Sequence, residues 1–261
     1  MTKAFQAADR AVLRVSGPEA RDFLQGVVTN DVGRVDVGPT YAALLNPQGK
    51  YLFDFLMIGD GADILLDVKA DAADSLARRL GLYRLRAKVA IEPTDLAVVV
   101  GIGAPAPDGA LPDPRDASLG WRLYTADPAA VLAGIAPLDP AEWHALRIER
   151  AVPETGIELV PEDTYILEAG FERLGGVDFR KGCYVGQEVV ARMKHKTELR
   201  KGLAPVRVEG EAPPPGTEIT AEDGRAAGTL YSTAGDLGLA HLRFDRADGP
   251  MTAGSARVSR R

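Results

Sequence analysis

The single cysteine of the chain, Cys183, lies in a glycine-rich segment, Gly175–Glu188. The four glycines of this segment allow backbone conformations and close approaches that other residues resist. Lys181 precedes the cysteine by two residues, and a nearby ammonium favours the thiolate, which is the reactive form of cysteine. A predicted helix over Glu188–Met193 adds the positive end of its dipole. The segment therefore predicts a reactive or metal-contacting thiol on a flexible loop, with a small buried apolar side chain as the alternative.

Glu168 is a second candidate, because apolar residues flank it within Ile166–Phe171. A carboxylate in such surroundings can accept two parallel hydrogen bonds from a planar amino-pyrimidinone edge, which pterins carry. We therefore expect Glu168 to hold a pterin-like ring, and the alternative is an ordinary surface glutamate.

The stretch from Arg180 to Lys201 carries seven basic and two acidic residues, a local charge of +5 in a chain whose net charge is −6. Such a concentration of charge can attract an anionic ligand, a polyglutamate tail or RNA. Tyr184 is the one Phe, Tyr or Trp residue within it, so the sequence offers no visible platform for stacking bases. A solvated loop face is the alternative interpretation.

The composition bounds the class of protein. The 261 residues, 46% of them hydrophobic, suffice for one large domain or a few small ones. The net charge argues against a protein that coats nucleic acid or anionic membranes, and a single cysteine fits a reducing compartment. Met1–Ala11 resembles neither a secretory signal nor a mitochondrial presequence, and no apolar run approaches ~20 residues. We therefore expect a cytoplasmic protein without membrane contact.

The first part of the chain alternates strands with single helices, which is typical of an α+β layer and not of a parallel doubly wound sheet. A capping box over Ser16–Glu19 predicts the start of one helix, and Gly81 predicts the end of another over Asp71–Leu80. Turn residues in Asn46–Gly49 predict a hairpin. The predicted strands are Ala11–Val15, Tyr41–Leu45, Tyr51–Ile58 and Ala62–Val68.

A second unit begins near Leu96, and the pattern changes again near Arg200. In the second unit, Asp127 and Asp139 each precede a proline and predict helix starts with Asp as the N-cap. After Arg200, short strands between turns rich in Pro and Gly predict a small β-barrel or sandwich. The predicted strands of both units are Leu96–Ile102, Gly120–Thr125, Leu203–Val208, Glu218–Thr220, Gly228–Ser232 and Gly238–Phe244.

Several of these stretches resemble a known family. Lys181–Glu188, which reads Lys-Gly-Cys-Tyr-Val-Gly-Gln-Glu, matches the specific signature of the YgfZ family. Phe23–Val32 looks like the early helix and Thr-Asn-Asp turn of that family, Leu45–Lys50 like its hairpin, and Val190–Arg192 continues the signature. The resemblance covers nearly the whole chain.

This resemblance implies an α+β fold similar to that of the glycine-cleavage T-protein. Such a fold is a three-lobed ring, in which two α+β lobes and a small C-terminal β-barrel surround a central folate-binding channel. The implied lobes are residues 1–95, residues 96–199 with the signature loop at their end, and residues 200–261 as the barrel.

The resemblance also implies a function, namely a tetrahydrofolate-binding accessory protein in the assembly or repair of iron–sulfur clusters. Its implied clients include enzymes that thiolate tRNA. The expected partners are folate, the iron–sulfur assembly machinery or client proteins, and in one reading tRNA; we expect a monomer. Because a cluster takes several ligands and the chain has one cysteine, we expect no stably bound metal, and any cluster contact must be shared with a partner.

The implied residue roles follow from the same resemblance. The expected catalytic residues are Cys183, Lys181 and Asp54. The expected folate-binding residues are Glu168, Asn30, Gly182, Tyr184, Gly186, Gln187, Glu188 and Arg192. Asp54 lies near the position of the T-protein catalytic aspartate, which belongs to an acidic pair, but here Phe53 replaces one acid. Since a carboxylate can steer protons during methylene transfer, an aminomethyltransferase of one-carbon metabolism is the first alternative, and a tRNA-binding module is the second.

Overall fold

The computed structural model describes residues 1–196 and 198–261. Thr197 and the side chain of Lys196, both within the predicted basic stretch, lie outside the described residues. Over the described residues the chain forms sixteen strands and five α-helices. The strands are β1 (Lys3–Gln6), β2 (Arg10–Ser16), β3 (Thr40–Leu45), β4 (Tyr51–Asp60), β5 (Asp63–Lys69), β6 (Ala90–Pro93), β7 (Ala97–Ile102), β8 (Leu111–Pro112), β9 (Trp121–Thr125), β10 (Ala136–Pro137), β11 (Lys201–Glu209), β12 (Thr217–Ala221), β13 (Ala226–Ala234), β14 (Leu237–Arg243), β15 (Met251–Ala253) and β16 (Ala256–Arg260). The helices are α1 (Ala20–Gln25), α2 (Ala70–Arg84), α3 (Pro128–Leu132), α4 (Pro140–Glu149) and α5 (Gln187–Lys196).

The first sheet has the order β3-β4-β5-β2-β6, and all neighbouring strands are antiparallel. β3 and β4 form the predicted hairpin, in which the Asn46 side-chain oxygen accepts a hydrogen bond from the Lys50 amide at 2.9 Å. Every residue of β3 is buried. Ala42 and Leu44 pack in one hydrophobic core with α1 and α2. Tyr41, Ala43 and Leu45 point to the opposite side and pack in another core with residues after 150. β3 therefore lies between two hydrophobic cores.

The second sheet has the order β10-β1-β7-β9-β8, with β1 parallel to β10 and antiparallel to β7. The N-terminal strand therefore pairs within the second sheet, whereas the predicted range 1–95 places it in the first lobe. A strand of four residues carries too little hydrophobic pattern to reveal a partner that is distant in the chain. The N-terminus thus ties the two sheets together.

The third unit is a closed barrel with the strand order β11-β14-β13-β12-β15-β16. Closure removes the exposed sheet edges that a small β-unit would otherwise present. The four strands predicted after Arg200 are present, and β15 and β16, which were not predicted, complete the ring. The α+β class and the C-terminal barrel are therefore confirmed. Across the residues described, no helix is long and apolar enough to cross a membrane.

Two local predictions at helix ends were wrong. Ser16 is the last residue of β2, and Glu19 makes no capping hydrogen bond to α1 but accepts one from the backbone amide of Lys88. Gly81 does not end α2, which continues to Arg84; Gly81 lies within the helix and does not adopt the left-handed conformation of a helix-ending glycine.

The two helix starts predicted at Asp127 and Asp139 are confirmed. The Asp127 carboxylate accepts a hydrogen bond from the Ala130 amide at 3.0 Å, and the Asp139 carboxylate accepts one from the Ala141 amide at 2.9 Å. Each side chain satisfies an amide that the first helical turn leaves without an intrahelical partner.

Candidate functional site

The signature loop is docked on the β3–β4 hairpin through two glycines. Gly186 has φ +82°, and a Cβ atom there would lie 2.6 Å from the Asn46 carbonyl oxygen. Gly49 has φ +74°, and its Cβ would lie 2.7 Å from Cβ of Val189. Both positions combine a left-handed backbone with a contact that leaves no room for a side chain. The glycines of the two predicted motifs therefore serve one interface, which we call the glycine clamp (Gly49 and Gly186).

Lys181 anchors the other end of the loop. It is 8% exposed, and its ammonium donates to the carbonyl oxygens of Gln25 at 2.8 Å and Val28 at 2.5 Å. Burial lowers the pKa of Lys181 to about 8, although the nearby charges of Asp31 and Asp178 favour the charged form. Within residues 1–196 and 198–261, no hydrogen bond joins this ammonium to Cys183.

Cys183 itself is exposed, as is the preceding Gly182. Tyr184, the next residue, is 7% exposed and packs into the central core. The thiol therefore lies on a short exposed stretch between two buried side chains. This geometry excludes the alternative in which the cysteine is a buried apolar residue.

The Asn30 side chain joins the glycine-rich segment to β3 by hydrogen bonds. Its side-chain amide donates to the carbonyl oxygens of Tyr41 at 2.7 Å and Gly175 at 2.6 Å, and its side-chain oxygen accepts from the Asp31 amide. The Thr29 hydroxyl donates to the Gly176 carbonyl at 2.7 Å. These bonds hold the segment against β3. They also occupy the Asn30 amide, which the family resemblance predicts to bind folate.

Asp54 faces a different place, a cavity of about 580 Å³ between the two sheets. The carboxylate is 4% exposed and accepts hydrogen bonds from the hydroxyls of Tyr41 at 3.0 Å, Tyr51 at 2.9 Å and Thr155. Burial, with the Asp54 charge as the second cause, raises the pKa of both tyrosines well above the ordinary value. The tyrosines therefore remain neutral donors to a fixed carboxylate.

Apart from Asp54, the cavity is lined by residues to which the sequence analysis assigned no role in a site. Its walls combine two aromatic side chains with four guanidinium groups, from Phe5, Trp143, Arg10, Arg115, Arg122 and Arg147. These residues come from β1, β2, β9, α4 and the loop after β8, so they share no spacing in the chain. The available signal was an arginine, Arg122, within an otherwise apolar strand, because such a buried charge requires partners.

The partners of these arginines lie behind the wall. Asp67 is fully buried and accepts from Arg10 Nε at 2.6 Å, Arg122 Nη1 at 2.7 Å and the Tyr124 hydroxyl at 3.0 Å. Burial acts to raise the pKa of Asp67, but the charges of Arg10 and Arg122 hold it below the ordinary value. Asp113 likewise binds Arg122 at 3.0 Å. We call this group the arginine–aspartate wall (Arg10, Asp67, Asp113, Arg115 and Arg122).

A second set of ion pairs links the cavity to the barrel. Lys69 of the first sheet pairs with Glu154, and Glu154 lies 3.2 Å from Arg147 Nε. Arg147 in turn binds Glu158 at 2.9 Å and the hydroxyl of Ser232, on β13, at 2.8 Å. These ion pairs, with the Ser232 hydroxyl as their last member, thus connect all three units.

The remaining candidates lie outside the cavity. Glu168 Oε2 is 3.4 Å from both His241 Nε2 and Lys201 Nζ of the barrel. Burial acts to raise the pKa of Glu168, but His241 and Lys201 hold it below the ordinary value. The other three, Gln187, Glu188 and Arg192, lie in the first turns of α5.

The structure thus brings Lys181, Gly182, Cys183, Tyr184 and Gly186 together in one loop and places Asp54 alone in the cavity. The roles assigned to these residues stay predictions. Over the described ranges, no three or more His, Cys, Asp or Glu side chains converge as a metal site.

Comparison with known proteins places this geometry in a family. The chain is 34% identical to the mitochondrial iron–sulfur cluster assembly factor IBA57 of Mus musculus, over 95% of the chain and 79% of that protein. It is 33% identical to the Homo sapiens protein of the same name, with the same coverage. The chain belongs to the IBA57 family. The predicted resemblance to iron–sulfur assembly proteins of the YgfZ type is therefore confirmed.

Two further comparisons concern the IBA57 fold. Residues 200–261 match the family model described as the CAF17 C-terminal beta-barrel domain. The whole chain superimposes on the crystal structure of the glycine cleavage system aminomethyltransferase T from Bartonella henselae, with a TM-score of 0.83, 16% identity, and coverage of 99% of this chain and 84% of that one. The predicted T-protein-like fold is confirmed.

The predicted cytoplasmic location is wrong, because the IBA57 relatives are named as mitochondrial proteins. A single cysteine and an ordinary composition fit any reducing compartment. These two features therefore could not distinguish a cytoplasmic from a mitochondrial location.

Proposed function

We propose that this chain is an accessory factor in iron–sulfur cluster assembly and that Cys183 is its working thiol. The observation that carries the proposal is the exposed sulfur at the tip of a loop held by Lys181 and the glycine clamp. One thiol cannot hold a cluster alone, since clusters are bound by several ligands. The cluster is therefore cargo, and the remaining ligands come from the assembly machinery or a client protein.

The central cavity is the proposed binding site for a tetrahydrofolate-class ligand. Its volume of about 580 Å³ falls within the range of small-molecule sites, roughly 300–1,000 Å³. Phe5 and Trp143 offer apolar walls for flat rings. Arg115 also lines the cavity, with its guanidinium bound by both carboxylate oxygens of Asp113. Three carboxylates line this cavity, and two of them, Asp9 and Glu154, form ion pairs with Lys69. Asp54 is therefore the proposed partner of a pterin edge, whereas Glu168 pairs with Lys201 of the barrel.

The proposed clients are iron–sulfur enzymes, among them those that thiolate tRNA. The basic stretch that begins at Arg180 supports contact with an acidic partner surface, because the Arg180 side chain is 89% exposed and its ion pair with Asp178 is long at 3.7 Å. Lys194 and Lys201 pair instead with Glu172 and Glu168, which reduces the charge free to bind RNA.

The test is cluster maturation in cells that lack their own IBA57-family protein. Cells carrying Cys183→Ala are expected to mature a reporter iron–sulfur enzyme at least tenfold less than cells carrying the unaltered chain. The matched control is Ser255→Ala, another exposed small residue, on a barrel turn. Full maturation by the Cys183→Ala variant at equal protein level would refute the role of the thiol.

The ligand is tested separately by calorimetry with tetrahydrofolate. Binding is expected to weaken at least tenfold in Asp54→Asn, while Cys183→Ala binds as the unaltered chain does. No binding by the unaltered chain would remove folate from the proposal without affecting the thiol.

An aminomethyltransferase is the second candidate, favoured by the position of Asp54 in the cavity of a T-protein-like fold. It requires transfer of a methylene group to tetrahydrofolate with the carboxylate beside the reacting nitrogens. Turnover that is lost in Asp54→Asn would support it, and absence of turnover in the unaltered chain would exclude it.

A further inference from the structure

The ammonium of Lys181 points away from the exposed part of its loop. It reaches the carbonyl oxygens of Gln25 and Val28, which lie 156 and 153 residues away in the chain. Gln25 is the last residue of α1, and Val28 forms a bridge to Leu44 in β3. The side chain therefore joins the loop to the turn that connects the first helix to the central strand.

The carbonyl of Gln25 lies at the end of α1, where helical carbonyls lose their intrahelical partners. Lysine side chains commonly bind such carbonyls and complement the negative end of the helix dipole. In the described part of the chain, Lys181 has no carboxylate within ion-pair distance. Its hydrogen bonds, with the Tyr184 ring 5.1 Å away, are the contacts that hold a buried charge in place.

The other end of the loop is held by a close steric contact of its backbone with the β3–β4 hairpin. At Gly186 the backbone approaches the hairpin so closely that any side chain would collide with Asn46. Between these two fixed points, a Cβ at Gly182 would meet no atom within 4 Å, and Cys183 is exposed. The backbone on either side of the exposed sulfur is therefore held by the buried side chains of Lys181 and Tyr184 and by the close contact at Gly186.

We propose that Lys181 is a positioning residue, which fixes where the Cys183 thiol is presented and does not activate the thiol by its charge. The proposal rests on the proposed function only in taking Cys183 as the working thiol. It differs from the expectation drawn from the sequence, in which the neighbouring ammonium favours the thiolate.

The test compares Lys181→Met, which removes both hydrogen bonds, with Lys181→Arg, which keeps donors for the two carbonyls. Hydrogen exchange of residues 181–186 reports the anchoring, and the pH dependence of Cys183 alkylation by iodoacetamide reports the thiol pKa. We expect Lys181→Met to exchange at least tenfold faster with an unchanged thiol pKa. Lys181→Arg is expected to restore most of the protection.

A thiol pKa that rises by a unit or more in Lys181→Met, with exchange unchanged, would overturn the proposal in favour of activation by charge. Unchanged exchange with an unchanged pKa would overturn it as well. Should Lys181→Met fail to fold, Lys181→Gln, which retains one amide donor group, takes its place with an intermediate rate expected. Neither readout involves a cluster, so failure of the proposed function appears independently, as full maturation by Cys183→Ala.

Discussion

The arginine–aspartate wall contains buried charges, whereas the signature loop presents an exposed thiol, and different interactions hold the two regions in place. In the wall, Asp67 is fully buried, and three donors from two other strands, β2 and β9, bind it. In the loop, two carbonyl bonds from Lys181 and a backbone contact at Gly186 hold an exposed thiol. The wall depends on mutual charge compensation, whereas the loop depends on anchoring at its ends. Substitutions in the wall should therefore disturb the fold, and substitutions at the loop tip should disturb only function.

The largest effect is expected for Asp67→Ala. It leaves the guanidiniums of Arg10 and Arg122 without a carboxylate that they now share, and breaking a buried ion pair in this way costs about 3–5 kcal/mol. Urea unfolding measures the loss. The matched control is Asp236→Ala, whose carboxylate is 62% exposed and pairs with Arg207 at 3.4 Å, so that about 0–1 kcal/mol is expected. Equal losses of unfolding free energy in both variants would show that the buried ion pairs of the wall stabilise the fold no more than a surface ion pair does.

Gly186→Ala comes next. The left-handed φ of +82° and the collision with the Asn46 carbonyl together predict a loss of about 2–3 kcal/mol in the free energy of unfolding. Gly182→Ala is the control from the same loop, since its φ is not left-handed and nothing lies near its Cβ position. That substitution should change the free energy by less than about 0.5 kcal/mol. If both variants lose the same amount, the glycine clamp does not exist as described.

A smaller effect concerns alkaline pH. Burial lowers the pKa of Lys181 to about 8, while an unfolded lysine titrates near ~10.4. The unfolded state therefore binds more protons between these values, so the free energy of unfolding rises with pH in that window. Partial solvent screening limits the gain to the order of 1 kcal/mol. Urea unfolding between pH 8 and pH 10 should show this rise in the unaltered chain and its absence in Lys181→Met; parallel curves would contradict the burial of the charge.

The two regions also differed in how far the sequence could reveal them. The β3–β4 hairpin and the two Asp-Pro helix starts depend on neighbouring residues, so local turn and cap chemistry predicted them. The thiol loop was found because its glycines and cysteine are contiguous. The wall was not found, because Arg10, Asp67 and Arg122 meet only when two sheets pack.

Contacts between distant segments account for the other differences. Lys181 and Cys183 are near neighbours in the chain, yet the lysine side chain reaches α1, and nothing local indicates that direction. Glu168 has the apolar flanks expected of a pterin-binding carboxylate, but His241 of the barrel lies 3.4 Å from it. The strand β1 pairs with β7, although its own residues suggest no partner.

The smallest expected effect is the sharpest test of the contrast. Cys183 is exposed, and its loop is fixed at both ends, so Cys183→Ala removes a side chain that stabilises nothing around it. We expect the free energy of unfolding to change by less than about 0.5 kcal/mol, while cluster maturation falls at least tenfold. Urea unfolding and the maturation assay are carried out on the same variant. A loss of several kcal/mol would mean that the sulfur packs into the protein, because deletion of a buried side chain leaves a cavity whose cost grows with its volume. In that case a substitution at the loop tip would reduce stability as a substitution in the wall does, and the contrast between the two regions would not hold at Cys183, the residue on which it depends most.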